Sequence, residues 1–216
     1  IDIVANMGGG EVWIAKGTYK HGSAMTMKNN VAIYGGFAGS ETSKDQRVAG
    51  NNTILDGEGK YRVFYNNYTE ENPLTNSAKL DNVTIQNGYA SYGAGMYNYY
   101  ASPVIINCTF SNNSASRYGG GMYNVDSSPT LTNCILWGNT AASSSGNEIC
   151  NYNDDFDDYY SNPTIDTCII KGGVDEIYGN EYGTYTNIIE TDPKLQTLAD
   201  NGGSVLTFAV AEGSSA

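Results

Sequence analysis

A single histidine, His21, and only 11 lysines and arginines against 23 aspartates and glutamates mark what this 216-residue chain has little of. With a net charge of −12 it has no basic patch for nucleic-acid phosphates or for an anionic membrane surface. Long apolar runs are missing too, and the stretch from Val205 to Val210 is far too short for a membrane span. No Cys-x-x-Cys pair and no companion histidine exist, which argues against zinc. Between about residues 10 and 175 no spacing of apolar residues reads as a long amphipathic helix. Charged residues make up only 16%, so the chain is not of the highly charged, core-poor kind that stays disordered. What is abundant is Gly (26), Tyr (18), Asn, Ser and Thr. Gly, Asn and Thr are poor helix formers, and the composition reads as all-β with many turns in one domain. The chain begins at Ile1 and shows no signal peptide, which reads as a processed or excised segment.

Internal repeats carry the fold. Gly93-Ala94-Gly95-Met96-Tyr97-Asn98 returns 26 residues later as Gly119-Gly120-Gly121-Met122-Tyr123-Asn124, and in degraded form as Gly146-Asn147-Glu148-Ile149-Cys150-Asn151. The other half of the unit repeats as Ser102-Pro103-Val104-Ile105-Ile106-Asn107-Cys108, Ser128-Pro129-Thr130-Leu131-Thr132-Asn133-Cys134 and Asn162-Pro163-Thr164-Ile165-Asp166-Thr167-Cys168. An insertion between Asn151 and Ser161 lengthens the last interval. Weaker copies run upstream, through Leu80–Ile85, Arg62–Asn66 and Met27–Ile33. A period of roughly 25 residues with about three short strands is the pattern of a solenoid whose units bury their inner faces only by stacking. Alternation places Met96, Ile105, Cys108 and Phe110 inward, and Tyr97, Ile106 and Thr109 outward. The three-residue step from Ile105 to Cys108 requires a corner at Ile106-Asn107, where asparagine tolerates the left-handed conformation. Stacking would then align Asn82, Asn107 and Asn133 in one amide ladder, Asn113 and Asn139 in a second, and Asn66, Asn98, Asn124 and Asn151 in a third.

These motifs resemble the right-handed parallel β-helix (pectin-lyase-like) superfamily, and more narrowly bacterial surface proteins with polymorphic-outer-membrane-protein-type repeats. The Gly93–Met96 and Gly119–Met122 strands, and the Phe110-Ser111-Asn112-Asn113 strand end, match that family's hallmarks. The stretches Gly10–Tyr19 and Tyr34–Thr42 look like opening coils, and Asp192–Lys194 with Asp200–Gly203 looks like a closing segment. The resemblance implies a single right-handed β-helix of about seven to eight coils. Residues 1–16 would form a lead-in, 17–174 the repeat coils and 175–216 the closing segment. It also implies a secreted or cell-surface location in the bacterial envelope.

Several residues offer chemistry. Tyr65, Tyr97 and Tyr123 occupy equivalent outward positions, where an aromatic strip could bind sugar rings or a protein surface, or simply stabilise the sheet. Asp154, Asp155, Asp157 and Asp158 form a dense acidic cluster in the insertion, which could furnish Ca2+ ligands or be a solvated loop. No other cofactor is indicated. Arg62 and Arg117 both lie before a Tyr-Asn strand and are the candidates for a lyase-type reaction, whereas His21 has no identifiable partners. No catalytic set is assembled. Cys108, Cys134 and Cys168 share one ladder position and read as a stack of free core thiols, with Cys150 apart. Asn51, Asn67, Asn82, Asn107 and Asn112 begin Asn-x-Ser/Thr sequons, read as composition rather than modification.

The expectation is therefore a non-enzymatic extracellular or cell-surface β-helix acting as stalk, adhesin or recognition module, with a glycan or a protein surface as partner. A polysaccharide-binding or polysaccharide-cleaving protein is one alternative. A structural protein that self-associates end to end is another.

Overall fold

The computed structural model describes residues 1–48, 50–142, 146–153 and 160–189, together with the backbone of the strands Leu195–Ala199 and Thr207–Val210. The fold is all-β, and its long sheets are parallel. One has seven strands, Gly10–Ala15, Val31–Phe37, Lys79–Asp81, Val104–Ile106, Thr130–Thr132, Thr164–Asp166 and Thr184–Thr186, in that spatial order. A second has six: Gly17–Lys20, Thr53–Asp56, Thr84–Gln86, Thr109–Ser111, Ile135–Trp137 and Ile169–Ile170. Phe64–Asn67, Met96–Tyr99, Met122–Val125 and Ile149–Tyr152 make a four-stranded sheet. Beyond the three strands per repeat read from the sequence, Tyr89–Tyr92, Ser114–Tyr118 and Thr140–Ala141 form a short fourth sheet. In each of its central repeats the chain visits the seven-, six-, three- and four-stranded sheets in turn, so each strand pairs with its equivalents one repeat earlier and later. Parallel partners cannot be joined by tight hairpins, and here the intervening sheets supply the crossover. The topology is compatible with a parallel β-helix. Leu195–Ala199 and Thr207–Val210 pair antiparallel.

Register explains the core. Ile33, Leu80, Ile105, Leu131 and Ile165 align across the seven-stranded sheet. Leu55, Ile85, Phe110, Leu136 and Ile170 align across the six-stranded one, and Phe64, Met96, Met122 and Ile149 across the four-stranded one. All are buried in one cluster, against which Ile1, Val4 and Ala5 also pack. Inward placement of Met96, Ile105, Cys108 and Phe110 agrees with alternation. Thr109 does not face water as expected: it is 1% exposed, its short side chain standing between Thr84 and Ile135 in the same column.

The corner is made as its residues suggest. Asn82, Asn107, Asn133 and Thr167 all have φ between 52° and 64°, in the left-handed region. Each following thiol satisfies the corner carbonyl two residues back, from Cys108 to Ile106 at 3.1 Å, Cys134 to Thr132 at 3.3 Å and Cys168 to Asp166 at 3.2 Å. All four cysteines are buried free thiols, and burial pushes Cys108 and Cys150 up to about 12. Thiolate is the reactive form. The hydrogen bond from Cys134 lowers Cys168 instead, but all four thiols are at most 1% exposed, so a disulfide-exchange reagent is expected to label none of the four in the folded protein at neutral pH and all four after denaturation. Rapid labelling of the folded protein would refute this packing.

Two asparagine ladders form as expected. Asn66 donates to Asn98 at 2.9 Å, Asn98 to Asn124 at 2.9 Å and Asn124 to Asn151 at 2.8 Å. The ends are closed by the Met27 N–H donating to Asn66 and by Asn151 donating to the Gly179 carbonyl and the Tyr185 hydroxyl. Asn113 donates to Asn139 at 2.8 Å. The corner ladder differs from expectation: Asn133 donates to Asn107 at 2.6 Å, but Asn107 turns to the Asp81 carboxylate at 3.0 Å rather than to Asn82. A charged acceptor makes the stronger bond, and the Asn82 amide is drawn to the Gly35 carbonyl at 3.3 Å.

Candidate functional site: a tyrosine–arginine face

The four-stranded sheet turns one face into the core and the other outward. Its inner face carries Met96 and Asn98, its outer face Tyr97 and Tyr99. Register aligns Tyr65, Tyr97 and Tyr123 on adjacent strands, followed by Cys150 and then Tyr178. Ring centroids are 5.2 Å apart for Tyr65–Tyr97 and 5.7 Å for Tyr97–Tyr123, the latter pair only 17° from parallel. The structure thus brings the three sequence-selected tyrosines together, but not as equals. Tyr65 is 38% exposed and Tyr97 is half-buried, whereas Tyr123 is 6% exposed.

Tyr123 is covered because neighbours fold over it. Tyr92 lies 5.1 Å from its ring and Tyr152 6.1 Å, and Cys150, the next residue in its column, is small. With Val125 and Cys150 it forms a separate apolar cluster outside the main core, against which Tyr92, Tyr97, Tyr99 and Tyr118 pack. The outward position of Tyr123 is therefore largely a packing position, with little of its ring left at the surface. Tyr152, 40% exposed, takes its place at the surface. Burial holds the Tyr97 and Tyr123 hydroxyls above the usual phenol range, so they act as neutral hydrogen-bonding groups.

Both arginines singled out in the sequence reach this face through one residue, Tyr92. Arg62 donates from Nη2 to the Tyr92 carbonyl at 2.7 Å and from Nε to the Gly93 carbonyl at 3.0 Å. Its guanidinium lies over the rings of Tyr65 at 4.7 Å and Tyr97 at 5.0 Å, a cation–π arrangement. Arg117 donates from Nη1 to the Tyr92 hydroxyl at 2.6 Å. Burial lowers the Arg62 pKa, but an arginine remains charged at any physiological pH.

Other candidates lie elsewhere. The His21 ring Nδ1 is 2.8 Å from the Ser23 carbonyl. Asp154, Asp155, Asp157 and Asp158 lie outside the described residues, among which no cluster of three or more His, Cys, Asp or Glu side chains could hold a metal ion. Beyond Tyr152 the surface falls into a polar groove walled by Tyr160, Tyr178, Tyr182, Asp175 and Glu181. Among the described residues no helix is long and apolar enough to cross a membrane.

Sequence reasoning passed over Glu148. It stands where the other repeats have Gly95 and Gly121, is 1% exposed, and its carboxylate accepts from the Gly138 N–H at 3.0 Å, the Asn139 N–H at 3.3 Å and the Asn139 side-chain amide. A charged residue replacing glycine in an aligned repeat is the signal that could have found it. Comparison of the chain with protein-family models, with curated proteins and with solved structures returns no match.

Proposed function

We propose that the chain is a right-handed parallel β-helix of about seven coils, secreted or displayed on a bacterial cell surface, that serves as a recognition module or adhesin rather than an enzyme. The seven strands of the longest sheet and the ordered return to each sheet support the solenoid, and right-handed winding follows from strand twist and crossover chirality. The observation that carries the function is the tyrosine face itself: exposed rings at Tyr65 and Tyr152, linked through Tyr97 and Tyr123, backed by a fully hydrogen-bonded asparagine ladder that holds the strands in register. Rigid aromatic side chains lose little entropy on contact, which suits a binding surface. Arg62 favours this over the lyase alternative, because its Nε and Nη2 build the Tyr92-Gly93 turn instead of sitting beside a carboxylate as part of an acid–base pair.

A glycan-array screen followed by titration of the best ligand tests the reading. Tyr65→Ala and Tyr152→Ala together should weaken binding about tenfold or more, measured on folded protein, because the Tyr65 ring also packs on Tyr97 and under Arg62 and its loss will lower the melting temperature somewhat. Undiminished binding by the double variant, or no binding to any glycan or cell surface, would remove the face from contention. Release of oligosaccharide products, lost on changing Arg62 or Arg117, would establish an enzyme instead.

A further inference from the structure

Four of the chain's 11 lysines and arginines form ion pairs with carboxylates among the described residues. The ion pairs among the described residues are Lys20–Glu58, Lys28–Asp2, Lys44–Glu11 and Arg47–Asp81, the last at 3.5 Å. Arg62 is not among them. It is partly buried on a protein carrying 23 acidic residues, yet no carboxylate among the described residues pairs with it. A cation withdrawn from water without a counter-charge is costly. Two carbonyls and two tyrosine rings compensate in part and hold the guanidinium still. They use Nε and Nη2. Nη1 makes no hydrogen bond in the described structure and is not sealed from solvent.

We propose that the Arg62 guanidinium anchors an anion subsite on the tyrosine face, taking a carboxylate or sulfate group carried on a glycan, with Arg117 at its rim. The inference rests on the recognition-module reading and names the ligand class for it. Preorganisation is the physical basis: a guanidinium already fixed by its turn gives up little freedom when its outer edge meets an anion. Arg117 is brought to the same neighbourhood by the Tyr92 hydroxyl. The rings around the subsite favour a sugar over a peptide. Tyr97 and Tyr123 stack nearly parallel in the column, and Tyr152, which aligns with Val125 rather than with Tyr123, lies against the Tyr123 ring, so these faces are largely occupied by one another. Edges and hydroxyls remain for an incoming partner, a surface matched to sugar hydroxyls rather than to apolar peptide anchors.

The test is calorimetric titration at low and moderate salt with four probes: a heparin-derived oligosaccharide, an alginate oligosaccharide, a neutral cello-oligosaccharide and a phosphotyrosine peptide. Wild type should bind one or both anionic oligosaccharides, more weakly as salt rises. Arg62→Gln should weaken that binding about tenfold or more, and Arg117→Gln by about threefold. Arg62→Lys, which keeps the charge and loses the planar fork, should fall between wild type and Arg62→Gln; it also serves if Arg62→Gln fails to fold. Anionic binding unchanged in folded Arg62 variants overturns the subsite. Neutral-glycan binding through Tyr65 without any anionic binding overturns it while the recognition reading survives. Silence from all four probes overturns both. Binding of the phosphopeptide alone, lost in Arg62→Gln, overturns the glycan assignment.

Discussion

Asn98→Ala is expected to destabilise the protein by about 2–6 kcal/mol, because it leaves two buried groups without partners at about 1–3 kcal/mol each. Those groups are the Asn66 side-chain amide, which donates to Asn98, and the Asn124 side-chain carbonyl, which accepts from it, and both residues are 0% exposed. For a chain of this size the melting temperature should fall by roughly 5–20 °C. Asn151→Ala, at the end of the ladder, should cost about half as much, since only the Asn124 donor loses a strong partner and the bonds from Asn151 to Gly179 and Tyr185 are long, at 3.3 Å. Denaturant titration of the two variants measures both. Equal losses, or a loss below about 1 kcal/mol for Asn98→Ala, would mean that the amides do not act as a chain.

Glu148 should make stability fall as pH rises through neutrality. Burial pushes its carboxyl up from 4.5 to about 7, against the pull of three N–H donors from Gly138 and Asn139. Lys171 is the charged group whose field reaches it, and that field acts in the same direction as the donors. With the folded pKa raised above the unfolded one, the fold favours the protonated form. The stabilisation from this group is complete below about pH 4.5 and is lost as pH rises through about 7, to a limit of about 3 kcal/mol. Glu11, Glu41, Asp56 and Asp166 are shifted the other way, so what they contribute is lost only in more acid solution. Denaturation of wild type and Glu148→Gln between pH 4.5 and 8 separates the effects. The stability difference should slope across that window, and a constant difference would count against a perturbed Glu148.

Strand registers and the column of inward residues were legible because a repeat repeats its neighbours: once Met96 and Met122 were aligned, Asn98 and Asn124 had to stack. The left-handed corner was legible for the same reason, in Asn82, Asn107 and Asn133. Burial on the outer face was not. Alternation assigns Tyr123 outward but cannot say that Tyr92 and Tyr152 will close over it. The fourth sheet was missed because Ser114–Tyr118 offers one buried side chain, Ala115, and so has no inward pattern to read. Glu148 lay in a degraded repeat, where the exchange of glycine for a carboxylate says nothing of the partner it will find nine residues earlier in the chain. Its side chain meets the amide of Asn139, which closes the Asn113–Asn139 ladder. The alignment of Tyr65, Tyr97 and Tyr123 followed from the repeat, whereas the joining of that column to Arg62 and Arg117 through Tyr92 depends on side-chain conformation rather than spacing.

The pairing of each strand with its equivalents one repeat away also sets how the molecule would answer a mechanical load. Repeats linked only to their neighbours are loaded in series, so a pull on the two ends concentrates on whichever terminal interface is weakest and peels it before the interior feels the strain. Each 26-residue repeat that lets go would release about 90 Å of chain. Extension should therefore proceed as a staircase of small steps rather than one rupture, dissipating work at every step while the rest of the tyrosine face stays in place.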